Sequence, residues 1–305
     1  MLTKAQLEPF GETSCAVSMK QHTTYKIGGV ADFLVEAYGT EELCDLIQLL
    51  NQEDVPWLIL GNGSNVLIDD VPFHGVVISL KKYFKNFHFE DNILSCQAGC
   101  SIIALSIEAM KRSLSGLEFA SGIPGSIGGG IYMNAGAYLS DLASILIDVT
   151  VLKDGEIVTM RNEELDFTYR HSNFQKHKDW VALSARFHLE NKPQKEIQET
   201  MDRRKQRRLT TQPVSKPSAG SVFRNPQGYN AWQIVYQLGY RGKSIGGAMV
   251  SPIHSNFIVN EGNATARDVD RLIRNIQHDA LNRYGIHLIT EVERINWHGE
   301  TEEIA

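Results

Sequence analysis

Six of the sixteen residues from Ser121 to Gly136 (SGIPGSIGGGIYMNAG) are glycine. Glycine has no side chain to pack and reaches backbone conformations closed to other residues, so this run has little capacity to form a core of its own. It is suited instead to lie very close to a ligand. A second glycine-rich turn, GNGSN at 61–65, follows the apolar segment WLIL at 57–60, the pattern of a strand running into a loop. Two such loops in a strand-rich frame can converge on one pyrophosphate through backbone N–H donors, which points to a large dinucleotide. Taken alone, the loop at 61–65 also reads as an ordinary tight turn.

Two familiar nucleotide signatures fail. A GxGxxG fingerprint starting at Gly61 would need glycine where Val66 stands, so the Rossmann reading falls. Gly242-Lys243-Ser244 resembles the end of a phosphate loop, but Gln237 occupies the place of that motif's first glycine. An ATPase is therefore excluded.

Around these loops the chain alternates strands and helices. Thr40 is placed to cap a helix through Asn51, with Glu41 and Glu42 at its positive end and Leu43, Leu46, Ile47 and Leu50 as its stripe. VVISL at 76–80 and FHFEDNILSC at 87–96 read as strands, the latter turning at Asp91 and Asn92. Ser101 starts a second helix, with Ala104, Ile107 and Met110 on one side and Gly116 as its stop. A hairpin is expected around Asp154-Gly155, another strand at WVALSARFHLE, and a charged helix from about Pro193 to Leu209. After the proline-rich TTQPVSKPSAG, a short helix runs from Ala231 to Leu238 and a long one starts at Thr265. The long helix carries Val269, Leu272, Ile273, Ile276, Ala280 and Tyr284 on one face, with Gly285 as its cap. The closing segment HLITEVERINW alternates as a strand, Leu288 and Val292 facing one way and Ile289, Glu291 and Glu293 the other.

At 305 residues, 42% hydrophobic and 22% charged, the chain is long enough for two or three ordinary domains. Its formal charge of −6 argues against nucleic-acid binding. The basic run Arg203, Arg204, Lys205, Arg207 and Arg208 reads first as a solvated helix face, and second as help for a phosphate. No apolar stretch reaches the roughly 20 residues of a membrane span, and the first fifteen residues lack a secretory pattern, so a cytoplasmic location is expected. Cys15, Cys44, Cys96 and Cys100 are scattered without metal-site spacing; they are read as reduced and structural, with no metal.

YKIGG with Ala31-Asp32, then GNGSNVLI, SGIPGSIGGGIYMNAGAY, FTYRHS, PSAGSVFRNP, GGAMVSPIHSNFIVN and EVERI follow one another along the chain. In this order and over about residues 25 to 295, the sequence resembles the UDP-N-acetylenolpyruvoylglucosamine reductase family. The resemblance implies an α+β fold: a FAD-binding fold of the vanillyl-alcohol-oxidase (PCMH) type in two subdomains, at 1–80 and 81–195, and a C-terminal α+β substrate domain at 196–305. It implies FAD held noncovalently by Gly61, Asn62, Gly63, Ser64 and Asn65 and by Gly122, Ile123, Pro124, Gly125, Ser126, Gly128, Gly129, Asn134, Gly136 and Ala137. NADPH is implied as co-substrate, a UDP-sugar as substrate, and a monomer as the working form.

Carried over position by position, the family's catalytic arginine falls on Arg170, its proton-donating serine on Ser221 and its glutamate on Glu291. Read without the resemblance, these are a strand-end salt bridge, a turn hydroxyl and a solvated strand face. Arg224 and Asn225, beside Ser221, are the candidates for the substrate's diphosphate. Two departures stand out. Pro252 and Ile253 replace a charged pair that many relatives carry before His254, and the short stretch from Trp180 to Arg203 leaves no room for a tyrosine-bearing lid, which is similar to the branch called type II. The implied reaction is NADPH-dependent reduction of enolpyruvyl-UDP-N-acetylglucosamine to UDP-N-acetylmuramate for peptidoglycan synthesis. The rival is a flavin oxidase of the same fold acting on a hydroxy acid or sugar lactone, and a flavin-binding protein without catalysis is the third reading.

Overall fold

A computed structural model describes residues 2–298. In chain order the regular elements are α1 (Lys4–Leu7), β1 (Gly11–Ser18), β2 (Val30–Ala37), α2 (Thr40–Gln52), β3 (Trp57–Leu60), β4 (Val66–Ile68), β5 (Phe73–Ser79), β6 (Phe87–Glu90), β7 (Ile93–Gln97), α3 (Ile102–Lys111), β8 (Leu114–Ser115) and α4 (Ile127–Tyr132). They continue with β9 (Gly136–Ala137), β10 (Ser140–Asp141), β11 (Leu146–Lys153), β12 (Glu156–Arg161), β13 (Val181–His188), β14 (Glu190–Asn191), α5 (Gln194–Thr211), α6 (Ala231–Gln237), β15 (Ser244–Ile245), β16 (Ala248–Val250), β17 (Ile258–Asn260), α7 (Ala266–Tyr284) and β18 (Glu293–Ile295). The α+β class expected from the sequence is what the chain adopts. The elements form two units: one of residues 2–15, 33–62 and 75–210, the other of 16–32, 63–74 and 211–298.

The first unit contains two cores. One packs α2 through its buried Leu43, Leu46, Ile47 and Leu50 with Val76 and Ile78 of β5, in a four-stranded sheet of order β1-β2-β5-β3 whose β3 and β5 run parallel. The other lies on an antiparallel five-stranded sheet of order β12-β11-β13-β7-β6, covered by Ile102 and Leu105 of α3 and Ile127 and Ile131 of α4. Both hairpins of this sheet turn where the sequence places them. Asp91 has φ 49°, and Asp154 and Gly155 have φ 52° and 81°, the paired left-handed residues that match strand twist.

The second unit wraps antiparallel β15-β16-β17 and the parallel pair β4-β18 around α7, with Val250, Ile258, Leu272, Ile273 and Ile276 fully buried. Thr265 caps α7 by accepting from the Asp268 N–H at 3.1 Å while Asp268 accepts from the Thr265 N–H at 3.0 Å, and Gly285 (φ 66°) ends it. Buried Asp270 is held from two sides, by Arg274 on the same helix at 2.7 Å and by Arg294 of β18 at 2.7 Å.

Five local readings need correction. Gly39 is the N-cap of α2 and Thr40 is its first residue, because the Gly39 carbonyl already receives the Leu43 N–H. The buried face of α3 is Ile102, Leu105, Ser106, Ala109 and Met110, whereas Ala104 and Ile107 face out; the apolar residues all round this helix hid the true stripe. That helix stops at Arg112, where Ser113 turns the chain with φ 60° into β8, before Gly116 is reached. The closing strand is regular only over Glu293–Ile295, and Tyr284 of α7 is partly exposed, although Leu288 and Val292 do point into the core with Ile289 outside.

Candidate functional site

The two glycine loops meet. Within the first unit, Asn62 Nδ2 donates to the Pro124 carbonyl at 3.1 Å, and a Cβ on Gly61 would lie 2.6 Å from Ser126 Oγ. Ser126 caps α4, accepting from the Gly129 N–H at 3.4 Å. Gly129 itself is exposed, and a Cβ there would meet only Ser126 Oγ at 3.4 Å. The protein leaves space over Gly129 that a side chain would fill. Elsewhere in the same run the glycines serve packing: a Cβ on Gly130 would come within 2.7 Å of Ile102 and Leu142.

Three candidate residues of the loops turn toward the protein. Gly63, with φ 61°, sits in the second unit where a Cβ would strike the His22 carbonyl at 2.2 Å, so the turn itself requires glycine. Asn65 uses its side chain to hold the glutamate strand, donating to the Glu291 carbonyl at 2.9 Å while its own carbonyl receives the Glu293 N–H. Buried Asn134 donates to Asp141 and to the Thr168 carbonyl, and accepts from the Ala143 N–H. Its amide braces the corner that carries the arginine.

Arg170 occupies that corner. Thr168 and His171 pair across a tight turn whose tip is Tyr169-Arg170, and Arg170 has a left-handed φ of 58°. Gln175 donates to the Arg170 carbonyl at 3.0 Å, and the guanidinium Nη2 donates to the Gly136 carbonyl at 2.6 Å, so the cation is tied to the end of the long glycine run. The basic stretch of α5 divides by helical phase. Arg204 stacks over the Tyr138 ring at 4.6 Å, and half-buried Arg208 donates to the Gly122 carbonyl, its pKa lowered by that burial. Neither is the solvated residue that the sequence first implies.

The segments that carry Ser221 and Glu291 pair in the second unit, although 69 intervening residues separate the two in sequence. Phe223 and Thr290 form an antiparallel bridge, the Glu291 N–H donates to the Val222 carbonyl at 2.7 Å, and the Arg224 N–H donates to the Ile289 carbonyl at 2.9 Å. Asn256 clamps the other side. Its carbonyl receives the Val222 N–H at 2.8 Å, and its amide bridges both backbone groups of Phe223 at 3.0 and 2.8 Å. No motif reading singled out Asn256; its place in GGAMVSPIHSNFIVN was the only signal. Next along the strand, Arg224 has a buried Nε with no hydrogen-bond partner, and Asn225 Oδ1 caps α6 by accepting from the Ala231 N–H at 3.0 Å. His254, following Pro252 and Ile253, is kept below its ordinary pKa by burial, and its Nδ1 receives the Asn256 N–H. Arg170 belongs to the first unit and these residues to the second.

A sequence model for an FAD-binding domain matches residues 31–161, the span that includes both glycine loops. By fold and site the chain is thus a flavoprotein of the FAD-binding α+β class. Residues 212–295 match the C-terminal domain of UDP-N-acetylenolpyruvoylglucosamine reductase. The enzyme of that name from Bacillus velezensis is 43% identical over 278 residues, covering 91% of this chain and 92% of the relative. The one from Bacillus subtilis matches equally well, at 43% over 278 residues. A solved structure of UDP-N-acetylenolpyruvylglucosamine reductase from Thermus caldophilus superposes with a TM-score of 0.80 at 34% identity, covering 93% of this chain and 98% of that one. The chain belongs to the UDP-N-acetylenolpyruvoylglucosamine reductase family.

Proposed function

We infer that this protein catalyses the NADPH-dependent reduction of UDP-N-acetyl-3-O-(1-carboxyvinyl)glucosamine to UDP-N-acetylmuramate in peptidoglycan precursor synthesis. The observation that supports the reading is the pairing of the Ser221 and Glu291 segments at the Phe223–Thr290 bridge, which sets Glu291 opposite Val222, the neighbour of Ser221, in a chain of this family. The residues present fit FAD: the open space over Gly129 and the joined loops at Asn62 and Pro124 offer backbone that a cofactor can approach closely. When bound, FAD supplies the two-electron chemistry that couples NADPH oxidation to substrate reduction.

The chain's own residues supply position and field. Hydride addition to the terminal carbon of the enol ether leaves negative charge delocalised into the adjacent carboxylate. Arg170, permanently cationic and a forked donor, answers that charge, and its tether to Gly136 limits the reorganisation needed at the transition state. Ser221 donates a proton to the neighbouring carbon; a hydroxyl is a weak acid, so it must act on a strongly basic enolate within hydrogen-bond reach. Glu291 shares the carboxylate and proton network. Arg224, with its unpartnered Nε, and Asn225 take the diphosphate.

This reading makes residues 1–80 and 81–195 the two FAD subdomains and 196–305 the substrate domain, in a cytoplasmic monomer of the branch without a tyrosine lid. Among the described residues no helix is long and apolar enough to cross a membrane. Anaerobic titration of the purified protein tests the reading: NADPH bleaches the flavin and the enolpyruvyl sugar nucleotide restores its colour. Restoration by oxygen alone, with peroxide formed and no response to that substrate, contradicts it.

A further inference from the structure

The corner around Arg170 gathers unusual backbone. Asn134, Tyr138, Leu139 and Arg170 all have left-handed φ angles, of 41°, 56°, 63° and 58°, and none is glycine. Strain of this kind persists only where surrounding structure enforces it, and it concentrates at functional sites. Tyr138 and Leu139 form the whole two-residue loop of the β9–β10 hairpin, whose strands pair Ala137 with Ser140 and Gly136 with Asp141. A loop with two positive φ values favours Asn-Gly or Gly-Gly, not two bulky residues. The side chains must therefore serve something other than the turn.

The two are held differently. Tyr138 lies under the Arg204 guanidinium at 4.6 Å and its hydroxyl donates to the Arg204 carbonyl at 3.4 Å. That anchors one side of the tip to α5. Leu139 is 108% exposed, the most exposed large apolar side chain among the described residues, and contacts nothing that hides it from water. At the base of the same hairpin, Gly136 offers the carbonyl that holds Arg170 Nη2 at 2.6 Å. Three residues of extended chain span about 10 Å, so the arm keeps Leu139 within one sugar-nucleotide length of the carboxylate-binding cation.

We propose that Leu139 is a substrate-contacting specificity residue: an apolar finger that lies against the sugar of the UDP-sugar substrate while Arg170 holds its carboxylate. The inference rests on the proposed function and deepens it. It supplies an apolar cover in the proposed branch without a tyrosine lid. The contact is made equally before and during the chemical step, so it acts on binding and not on the barrier.

Leu139→Asn and Leu139→Gly both suit a positive φ, so the turn is kept or relieved and Tm stays at or above that of the unsubstituted protein. Each raises the KM for the enolpyruvyl sugar nucleotide by about tenfold, the loss expected for one apolar side-chain contact, with kcat changed by less than about twofold. Leu139→Met recovers most of the affinity. A KM within twofold of the starting value for both polar and glycine variants, with turnover intact, overturns the proposal and leaves Leu139 a strained turn residue. If the unsubstituted protein itself fails to turn over this substrate, the underlying function falls instead.

Discussion

The residues assigned to chemistry are held in two different ways. Around Arg170 the backbone is irregular: left-handed non-glycine residues, a glycine run with open space at Gly129, and side-chain bonds from Asn134 and Gln175 that hold the turn. Around Ser221 and Glu291 it is regular, a short antiparallel pairing clamped by the buried amide of Asn256. The first region leaves backbone open at Gly129, where we propose that the cofactor approaches. The second builds its site from the same hydrogen bonds that hold its fold. Substitutions in the first should therefore damage function with little loss of stability, while substitutions in the second should damage both.

Gly129→Leu is the severest test of the first half. A Cβ there would meet only Ser126 Oγ at 3.4 Å, and helical leucine is favoured over glycine by about 1 kcal/mol, so the apoprotein should fold at least as well. Purified Gly129→Leu is expected to be colourless and inactive, with a Tm matching that of the unsubstituted protein stripped of FAD; full flavin occupancy would place the cofactor elsewhere. Asn256→Ala is the counterpart. It orphans the buried N–H and carbonyl of Phe223, which costs roughly 2–4 kcal/mol in all. Thermal unfolding should fall by roughly 5–10 °C and activity should fall with it. An Asn256→Ala protein with normal Tm would show that the clamp is not what fixes the pairing.

A smaller effect separates charge from packing in the second unit. Burial lowers the pKa of His254 in the folded state below its ordinary 6.5, so the unfolded chain binds the proton more readily. The neutral form costs nothing above that value, and stability is lost as pH falls below it toward the folded pKa. Replacing His254 by glutamine should flatten the part of the Tm profile that declines below about pH 6.5, with little change at pH 8. An equally steep acid limb in the variant would assign the decline to other groups.

Much of this was legible in the sequence, for physical reasons that vary by element. Helix α7 announces itself because its cap, its stripe and its terminal glycine all agree, and the Asp154-Gly155 hairpin does so because few residue pairs accept that turn. The stripe of α3 is hard to phase from sequence because Ile102, Ile103, Leu105 and Ile107 spread around the helix while the polar Ser106 is buried. Candidate residues were found through motifs, but motifs do not say what a side chain touches. Asn65 and Asn134 sit in the glycine segments yet turn their amides to backbone carbonyls and to Asp141. Arg208 lies in a run that looks solvated, and only helical phase brings it against Gly122. The Asn256 clamp spans 33 residues and has no local signature.

The assignment of Ser221 as proton donor is the centre of this account, and stopped-flow absorbance of the bound flavin tests it directly. Ser221→Ala removes the hydroxyl but leaves the glycine loops intact. Reduction of the flavin by NADPH should keep its rate, while reoxidation by the enolpyruvyl sugar nucleotide should slow by about 100-fold or more, the loss expected for a positioned acid. Ser221→Cys should regain part of the rate, since a thiol can still donate a proton from a similar place. Equal slowing of both half-reactions, or of neither, would make Ser221 a turn residue and contradict the mechanism.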